Sequence, residues 1–147
     1  AGKIYDSMME ATKVKIHDKM IRTVTFIWMQ GEADSKAQNS DVYLASLNGL
    51  KKQLEEDLQR TDINFIIGRL SDSGFFRRRD KKRVENLHWE EIRKAQQSFA
   101  DASQRAVWID TDDLNGAKNA LHLIKPDGYS MLGERYVNGA LKLLDGK

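Results

Sequence analysis

The sequence TVTFIWMQG, residues 23–31, is apolar up to Met29 and becomes polar at Gln30. Its apolar part is β-branched or aromatic nearly throughout, and it is apolar on both faces, whereas a half-exposed strand would alternate apolar and polar residues. This pattern predicts a parallel strand packed between helices. Gly31 allows a tight turn, so that Gln30 and Glu32 can face a cleft directly beyond the strand.

The same strand pattern recurs at residues 64–70 and 105–110, and helical spacing of apolar residues fills the intervals. A first helix is predicted over residues 4–12, ending near the polar stretch 13–22, and a second starts with Ser40 or Asp41 as N-cap. A third helix is predicted from Val84 to Ala102, and the last begins after Pro126-Asp127-Gly128. The predicted inner positions of these helices are Tyr43, Leu47, Leu50, Leu54 and Leu58, then Leu87, Ile92, Ala95 and Phe99, and finally Tyr129, Leu132, Tyr136, Ala140 and Leu143.

Helix and strand alternate along the chain, which predicts an α/β fold with a parallel sheet covered on both faces and right-handed crossovers. In such sheets ligands bind beyond the carboxyl ends of the strands. Those ends are polar in all three predicted strands: Gln30-Gly31-Glu32, Leu70-Ser71-Asp72 and Asp110-Thr111-Asp112. No internal repeat or linker divides the sequence, so residues 1–147 are predicted to form a single domain.

Composition narrows the classes of function. With 24 Lys and Arg residues against 22 Asp and Glu, the net charge of +2 gives no global attraction to polyanions, and we expect neither a nucleic-acid nor a membrane partner. The absence of Cys excludes disulfides, thiolate catalysis and cysteine-bound metal sites. No apolar run approaches the roughly 20 residues that span a bilayer, and residues 1–10 contain no signal-peptide core.

Of the three His residues, His122 is the candidate for catalysis. His17 lies in a charged stretch and His88 in a charge-rich helix, so a structural or solvent-exposed role is expected for both. His122 precedes the last helix, at the predicted carboxyl edge of the sheet, where an imidazole is well placed as a general base. At the same edge Gln30 could donate to an oxyanion; alternatively, Gln30 and Glu32 cap the following helix and hold the loop.

Four blocks of the sequence resemble the sialate O-acetylesterase and acetylxylan esterase branch of the SGNH hydrolases, called carbohydrate esterase family six. They are WMQGEADS at 28–35, IRKAQ at 92–96, VWIDTDDL at 107–114 and LHLIKPDGYSMLGERY at 121–136. The resemblance implies a flavodoxin-like three-layer α/β/α sandwich that hydrolyses acetyl esters on sugars. It further implies a Ser nucleophile, no metal and no cofactor, and it leans toward bacterial secretion or the periplasm.

The resemblance also implies roles for individual residues. His122 matches the general base, Asn119 stands where the family carries the supporting acid, and Gln30 matches the amide that helps to bind the oxyanion. The implied reaction is two-step acyl transfer, in which a hydroxyl attacks the acetyl carbonyl and water then releases acetate. The residues implied to hold the turn and line the substrate edge are Gly31, Glu32 and Asp34.

The nucleophile is the first departure from the family pattern. The G-Q-S-N type block that carries it is absent, and the sequence matches a C-terminal portion of the family domain without its first strands. None of Ser35, Ser71 and Ser73 has a strand–turn–helix context, and Ser35 is only the nearest by position. We therefore expect little or no esterase activity from this chain alone, and the alternative function is a non-catalytic carbohydrate-binding or scaffold module.

The supporting acid is the second departure. Asn119 can accept a hydrogen bond from the imidazole but cannot stabilise its charged form, and the equivalent change in a serine protease costs roughly 10⁴-fold in turnover. Either a carboxylate from the adjacent strand end replaces the acid or the relay runs as a dyad. The carboxylates available there are Asp110, Asp112 and Asp113.

Two further features bear on partners. Without a neighbouring first strand, residues 23–29 would form an uncovered apolar edge, which predicts self-association. Residues 77–83 hold six cations in seven positions and could bind nucleic acid or an anionic polysaccharide, or form a substrate rim. Because no nucleic-acid motif accompanies them, we favour a solvated loop that leads into the next helix.

Overall fold

The computed structural model describes residues 2–74, 76–79, 82–115 and 127–145. Short 3-10 turns at Asp72–Gly74 and Asp112–Leu114 follow two of the strands. None of the helices in this described part is long and apolar enough to cross a bilayer. In chain order the helices and strands are α1 (Lys3–Ile16), β1 (Thr25–Trp28), α2 (Glu32–Ala37), α3 (Ser40–Leu58), β2 (Asn64–Gly68), β3 (Phe76–Arg79), β4 (Lys82–Glu85), α4 (Leu87–Asp101), β5 (Ala106–Ile109) and α5 (Gly128–Leu144).

The three predicted strands form one parallel sheet in the order β1-β2-β5. Ile67 of β2 pairs with Trp28 on one side and with Trp108 on the other. All five residues of β2 are buried, because this strand lies in the middle of the sheet with helices on both faces. The predicted α/β class with a parallel sheet is therefore confirmed.

Alternate residues of β2 pack into two separate apolar clusters. Phe65 and Ile67 belong to the cluster that α1, α3 and α4 complete, where Phe65 meets the ring of Phe99 edge-on at 5.7 Å between centroids. Ile66 points to the other face and packs with Leu132 and its neighbours on α5. This separation follows from the two-residue period of a strand, and it produces three layers of helix, sheet and helix.

The helix α5 covers one face of the sheet, but this cover does not extend fully over β1. Ile27 pairs with Ile66 and so lies on the same face, yet 51% of it is exposed. Within the described residues, β1 pairs only with β2, so its other edge is open.

Several sequence predictions about the helices were wrong. Leu87 and Tyr129 were predicted to face inward but are 61% and 67% exposed. Leu87 lies two residues, and so about 200° around the helix, from the buried Trp89, and Tyr129 lies about 100° around from the buried Gly128. Trp89 takes the inner position at the start of α4 instead. Val84 lies in β4 rather than in α4, and the N-cap position of α3 is Asn39, not Ser40 or Asp41.

A hairpin and a short helix were not predicted at all. Residues around 77–83 form the antiparallel pair β3–β4, in which Arg78 lies opposite Arg83 and Arg79 opposite Lys82. The helix α2 begins immediately after Gly31 and has only six residues. Neither element has an apolar stripe in its sequence, which is the signal on which such predictions depend.

Candidate active site

The turn after β1 requires glycine. Gly31 has φ = 154°, a backbone conformation that L side chains rarely adopt. A Cβ atom at this position would also stand 2.8 Å from Ile92 Cγ2 and 3.0 Å from Leu70 Cδ1. Glycine thus permits both the reversal of the chain and its close approach to α4, and it brings Glu32 and Asp34 into the first turn of α2.

The two carboxylates of α2 bond to this turn. Asp34 Oδ2 accepts a hydrogen bond of 2.8 Å from Gln30 Nε2, and Glu32 Oε2 accepts one of 3.0 Å from the Gly31 N–H. Because an ionised carboxylate can only accept, its contact with Gln30 determines which end of the amide is the NH₂ group. That group carries a second N–H, which makes no hydrogen bond to any described residue.

Behind the turn lies a buried hydrogen-bond network. The carbonyl oxygen of Gln30 accepts from Tyr43 Oη at 2.5 Å and from Gln96 Nε2 at 3.0 Å. Tyr43 Oη in turn accepts from Trp28 Nε1, and Gln96 Oε1 accepts from the Leu70 N–H at 2.9 Å. Burial raises the pKa of Tyr43 still further above neutral pH, and its protonated hydroxyl can donate.

A second network joins the ends of β2 and β5. Arg93 holds Asp112 with two hydrogen bonds of 2.7 and 2.9 Å and also donates to the Leu70 carbonyl. Arg69 stacks over Trp108 at 4.6 Å and donates to Asp112 at 3.0 Å. Burial of the Asp112 carboxyl raises its pKa, but the bond to Arg93 and the charges of both arginines outweigh it, and the pKa is lowered.

The family model described as carbohydrate esterase, sialic acid-specific acetylesterase, matches residues 1–142. The chain belongs to this esterase family. The resemblance inferred from the four sequence blocks is therefore confirmed.

A solved structure supports the fold of this esterase-family chain. The X-ray structure of a protein from Arabidopsis thaliana is similar with a TM-score of 0.75 and 21% sequence identity over 97% of the chain. The chain spans 53% of that protein's length. Comparison with the curated proteins gives no match.

The structure brings the residues of the first block together, and of the fourth block it describes residues 127–136. Gln30, Gly31, Glu32 and Asp34 form one hydrogen-bonded turn at the carboxyl end of β1. Gln30 and Asp34 also border a groove of ≈ 230 Å³ that Trp28 and Tyr43 help to line. His122 and Asn119 lie outside the described residues.

The three carboxylates considered as replacements for the acid are all bonded to arginine. Asp110 accepts from Arg69 at 2.7 Å, Asp112 from Arg69 and Arg93, and Asp113 from Arg135 at 2.7 and 2.8 Å. A carboxylate that already neutralises a guanidinium stabilises an imidazolium less than an unpaired one would. Across the described ranges, no three His, Asp or Glu side chains are grouped as metal ligands would be.

Of the three serines considered as nucleophiles, Ser35 and Ser71 are buried and Ser73 is partly exposed. Ser35 is 1% exposed and its Oγ accepts from Asn86, while Ser71 is buried with its Oγ 2.8 Å from that of Ser73. These contacts give none of the three an imidazole partner among the described residues.

One group of Ser, His and Glu side chains does occur, between the N-terminal turns of α3 and α4. Ser40 Oγ lies 2.7 Å from His88 Nδ1 and donates to Glu91, whose Oε2 is 3.4 Å from the same Nδ1. A nucleophilic relay needs the serine and the acid on opposite ring nitrogens, so this group is not a triad. It links two helices, in keeping with the structural role expected for His88.

Sequence reasoning overlooked the residues behind the turn. Tyr43 was predicted only as an apolar inner position, and Arg93 and Gln96 entered only as part of a family block. A usable signal was present, because Arg93 and Gln96 fall between the inner positions Ile92, Ala95 and Phe99 of α4. Polar residues inside an apolar stripe must find buried partners, which here are the ends of β1, β2 and β5.

Proposed function

We propose that this chain is part of a carbohydrate O-acetyl ester hydrolase of the serine type, in which it supplies the oxyanion-binding amide of Gln30 and the general base His122. The observation that carries the proposal is the Gln30 amide, held by Asp34 at the carboxyl end of a parallel strand with a second N–H directed to no described residue. Membership of a carbohydrate esterase family supports the reaction class.

The proposed reaction is acyl transfer in two steps. A hydroxyl attacks the acetyl carbonyl, His122 accepts the hydroxyl proton and returns it to the departing sugar oxygen, and water then releases acetate by the same route. Gln30 donates its second N–H to the oxyanion, a contribution commonly worth about 3–4 kcal/mol. Asn119 accepts from the imidazole without adding charge.

The nucleophile is the part of the mechanism that the described residues do not supply. Ser35 and Ser71 are buried and bonded to other side chains. Ser40 lies at the same ring nitrogen of His88 as Glu91, so these three side chains cannot act as a relay. We therefore expect little or no turnover by this chain unless a segment bearing the nucleophile is present with it.

Acetylated sugars are the proposed substrates, and O-acetylated sialic acid is the first to test because the family description names that sugar. We propose neither a nucleic-acid nor a membrane partner.

The direct test is acetate release from O-acetylated sialic acid and from acetylated xylo-oligosaccharides. It is measured with the chain and with any longer parent polypeptide that carries it. In the active form, His122→Ala is expected to abolish turnover and Gln30→Ala to lower kcat by about 10²- to 10³-fold, as loss of an oxyanion donor does. Gln38→Ala, at the exposed end of α2, is the matched control and should leave the rate unchanged. Unchanged turnover in His122→Ala would refute the role given to the imidazole.

The alternative is a carbohydrate-binding module without catalysis on the same fold. The buried serines and the amide at Asn119 favour it. Calorimetric binding of the acetylated sugars, with no acetate released by either the chain or its parent, would select this alternative.

A further inference from the structure

Gln30 is held from two sides, and the second side has no role in the mechanism described so far. Asp34 binds its side-chain amide, while Tyr43 and Gln96 bind its main-chain carbonyl oxygen. We propose that Tyr43 and Gln96 are positioning residues that set the orientation of the Gln30 amide; the inference rests on the proposed role of that amide as oxyanion donor.

The carbonyl contacts determine the plane of the peptide between Gln30 and Gly31. A trans peptide is planar, so two donors on its oxygen restrict rotation of the whole unit. The Gly31 N–H, which points away from that carbonyl in the same plane, donates to Glu32 at 3.0 Å. The backbone from which the Gln30 side chain extends is thus restrained at both polar groups of one peptide.

The two donors have a single consistent arrangement. Gln96 is fully buried, and its Oε1 must face the Leu70 N–H, which leaves Nε2 to face Gln30 and Tyr43. Tyr43 Oη accepts from Trp28 Nε1 and Gln96 Nε2, so its own hydrogen is directed to the Gln30 carbonyl. Neither donor can turn away without leaving a buried polar group unpaired, which proteins strongly avoid.

This restraint matters because an oxyanion donor acts only when it is placed accurately. A displacement of about 1 Å in a reacting or binding group can cost on the order of 10²-fold in rate. With the backbone held by Tyr43 and Gln96 and the amide nitrogen held by Asp34, the three side-chain torsions of Gln30 have little freedom left.

The test follows the side-chain amide signals of Gln30 by nuclear magnetic resonance in the full chain. In the wild type these signals should differ clearly from those of the exposed Gln38. Tyr43→Phe removes one hydroxyl and is expected to move the Gln30 signals toward the values of Gln38. The indole signal of Trp28 should move as well, because it loses its acceptor.

Tyr5→Phe is the matched control, since Tyr5 Oη donates to Asp57 at 2.7 Å on another part of the surface. Like Tyr43→Phe, this variant loses one hydrogen bond from a tyrosine hydroxyl, but it should leave the Gln30 signals unchanged. Gln96→Met is the second variant: it fills a similar volume but has no N–H for Gln30, and its effect on the Gln30 signals should match that of Tyr43→Phe. The positioning role is overturned if the Trp28 signal moves in Tyr43→Phe while the Gln30 signals stay, or if Tyr5→Phe moves them equally.

Kinetics separate this inference from the proposed function. In an active form of the enzyme, Tyr43→Phe should lower kcat by about 10- to 100-fold with little change in KM, because the oxyanion exists only in the transition state. Absence of hydrolysis in every wild-type form would count against the proposed function, while the Gln30 signals would still decide whether Tyr43 and Gln96 position the amide.

Discussion

Gly31 is the residue at which the addition of one methyl group is expected to lower the free energy of unfolding most. Gly31→Ala combines an unfavourable positive φ with a Cβ contact of 2.8 Å to Ile92, and we expect a loss of about 2–4 kcal/mol in the free energy of unfolding. Gly49→Ala is the control, because a Cβ there meets nothing within 4 Å on α3, and it should gain about 0.5–1 kcal/mol. Urea unfolding measures the stability of both variants. An equal change in stability in Gly31→Ala and Gly49→Ala would contradict the role given to Gly31 in the turn.

Asp112 should make the stability of the protein sensitive to acid. Because its pKa is lowered in the folded state, its stabilisation is complete above the ordinary Asp pKa of about 3.9 and is lost as the pH falls through the lower folded value. Asp112→Asn is therefore expected to unfold more easily in urea at pH 7 and to lose less stability on acidification than the wild type. Parallel pH profiles for the two proteins would show that Asp112 is not the group responsible.

At the scale of one element, α4 connects the ends of the three strands. Arg93→Gln removes one partner of a largely buried ion pair, and we expect a cost of about 2–4 kcal/mol, somewhat below the value for fully buried pairs because 32% of the Asp112 side chain is exposed. Lys94→Gln, the next residue along, breaks only an exposed pair with Glu90 and should cost less than about 1 kcal/mol.

Hydrogen exchange checks the same prediction locally. The Asp72 N–H donates to Asp112 and the Leu70 N–H to Gln96. In Arg93→Gln the Asp72 amide should exchange faster at conditions where the protein remains folded, whereas Lys94→Gln should leave it as in the wild type. Equal protection in both variants would mean that Arg93 does not hold the loop after β2.

The elements differ in how far their sequences predict them. The strand at 64–70 could be predicted because burial on both faces leaves a continuous apolar run. The strand at 105–110 could be predicted because residues 106–109 are all apolar, although only Ile109 among them is fully buried. The hairpin β3–β4 could not, because its sequence is nearly all charged and has no alternation of apolar and polar residues.

The candidate site was predictable to a similar degree. Gln30 could be selected because it follows the end of a predicted parallel strand, and Asp34 because it lies one helical turn away. The contact between Gln30 and Gln96 joins residues 66 positions apart in the sequence, and local patterns carry no information on such pairings. Family resemblance indicated that Gln96 belongs to a shared block but not which groups it binds.

At the scale of the whole molecule, the uncovered side of β1 is the expected site of self-association. Ile27 is half exposed on a sheet face that helices otherwise cover, and the outer edge of β1 is open within the described residues. We expect the sedimentation coefficient of the chain to rise with concentration and this rise to disappear in Ile27→Lys. Ile4→Lys, which alters the equally apolar but more exposed side chain on α1, should leave the rise in place. A monodisperse monomer at high wild-type concentration would contradict the prediction.

The contacts of Trp89 mark a place where the chain can be lengthened without moving the carboxyl ends of the strands. The indole Nε1 donates to the Ser71 carbonyl at 2.7 Å, and the ring lies so close to Gly74 that a Cβ there would be 2.0 Å from it. Trp89 therefore holds the two ends of the hairpin segment together through Ser71 and Gly74, which lie outside β3 and β4. Doubling the length of a flexible connection costs only about 0.6 kcal/mol in closure entropy. Insertion of new sequence between Gly74 and Asn86 is therefore expected to change what approaches the strand ends at little cost in stability.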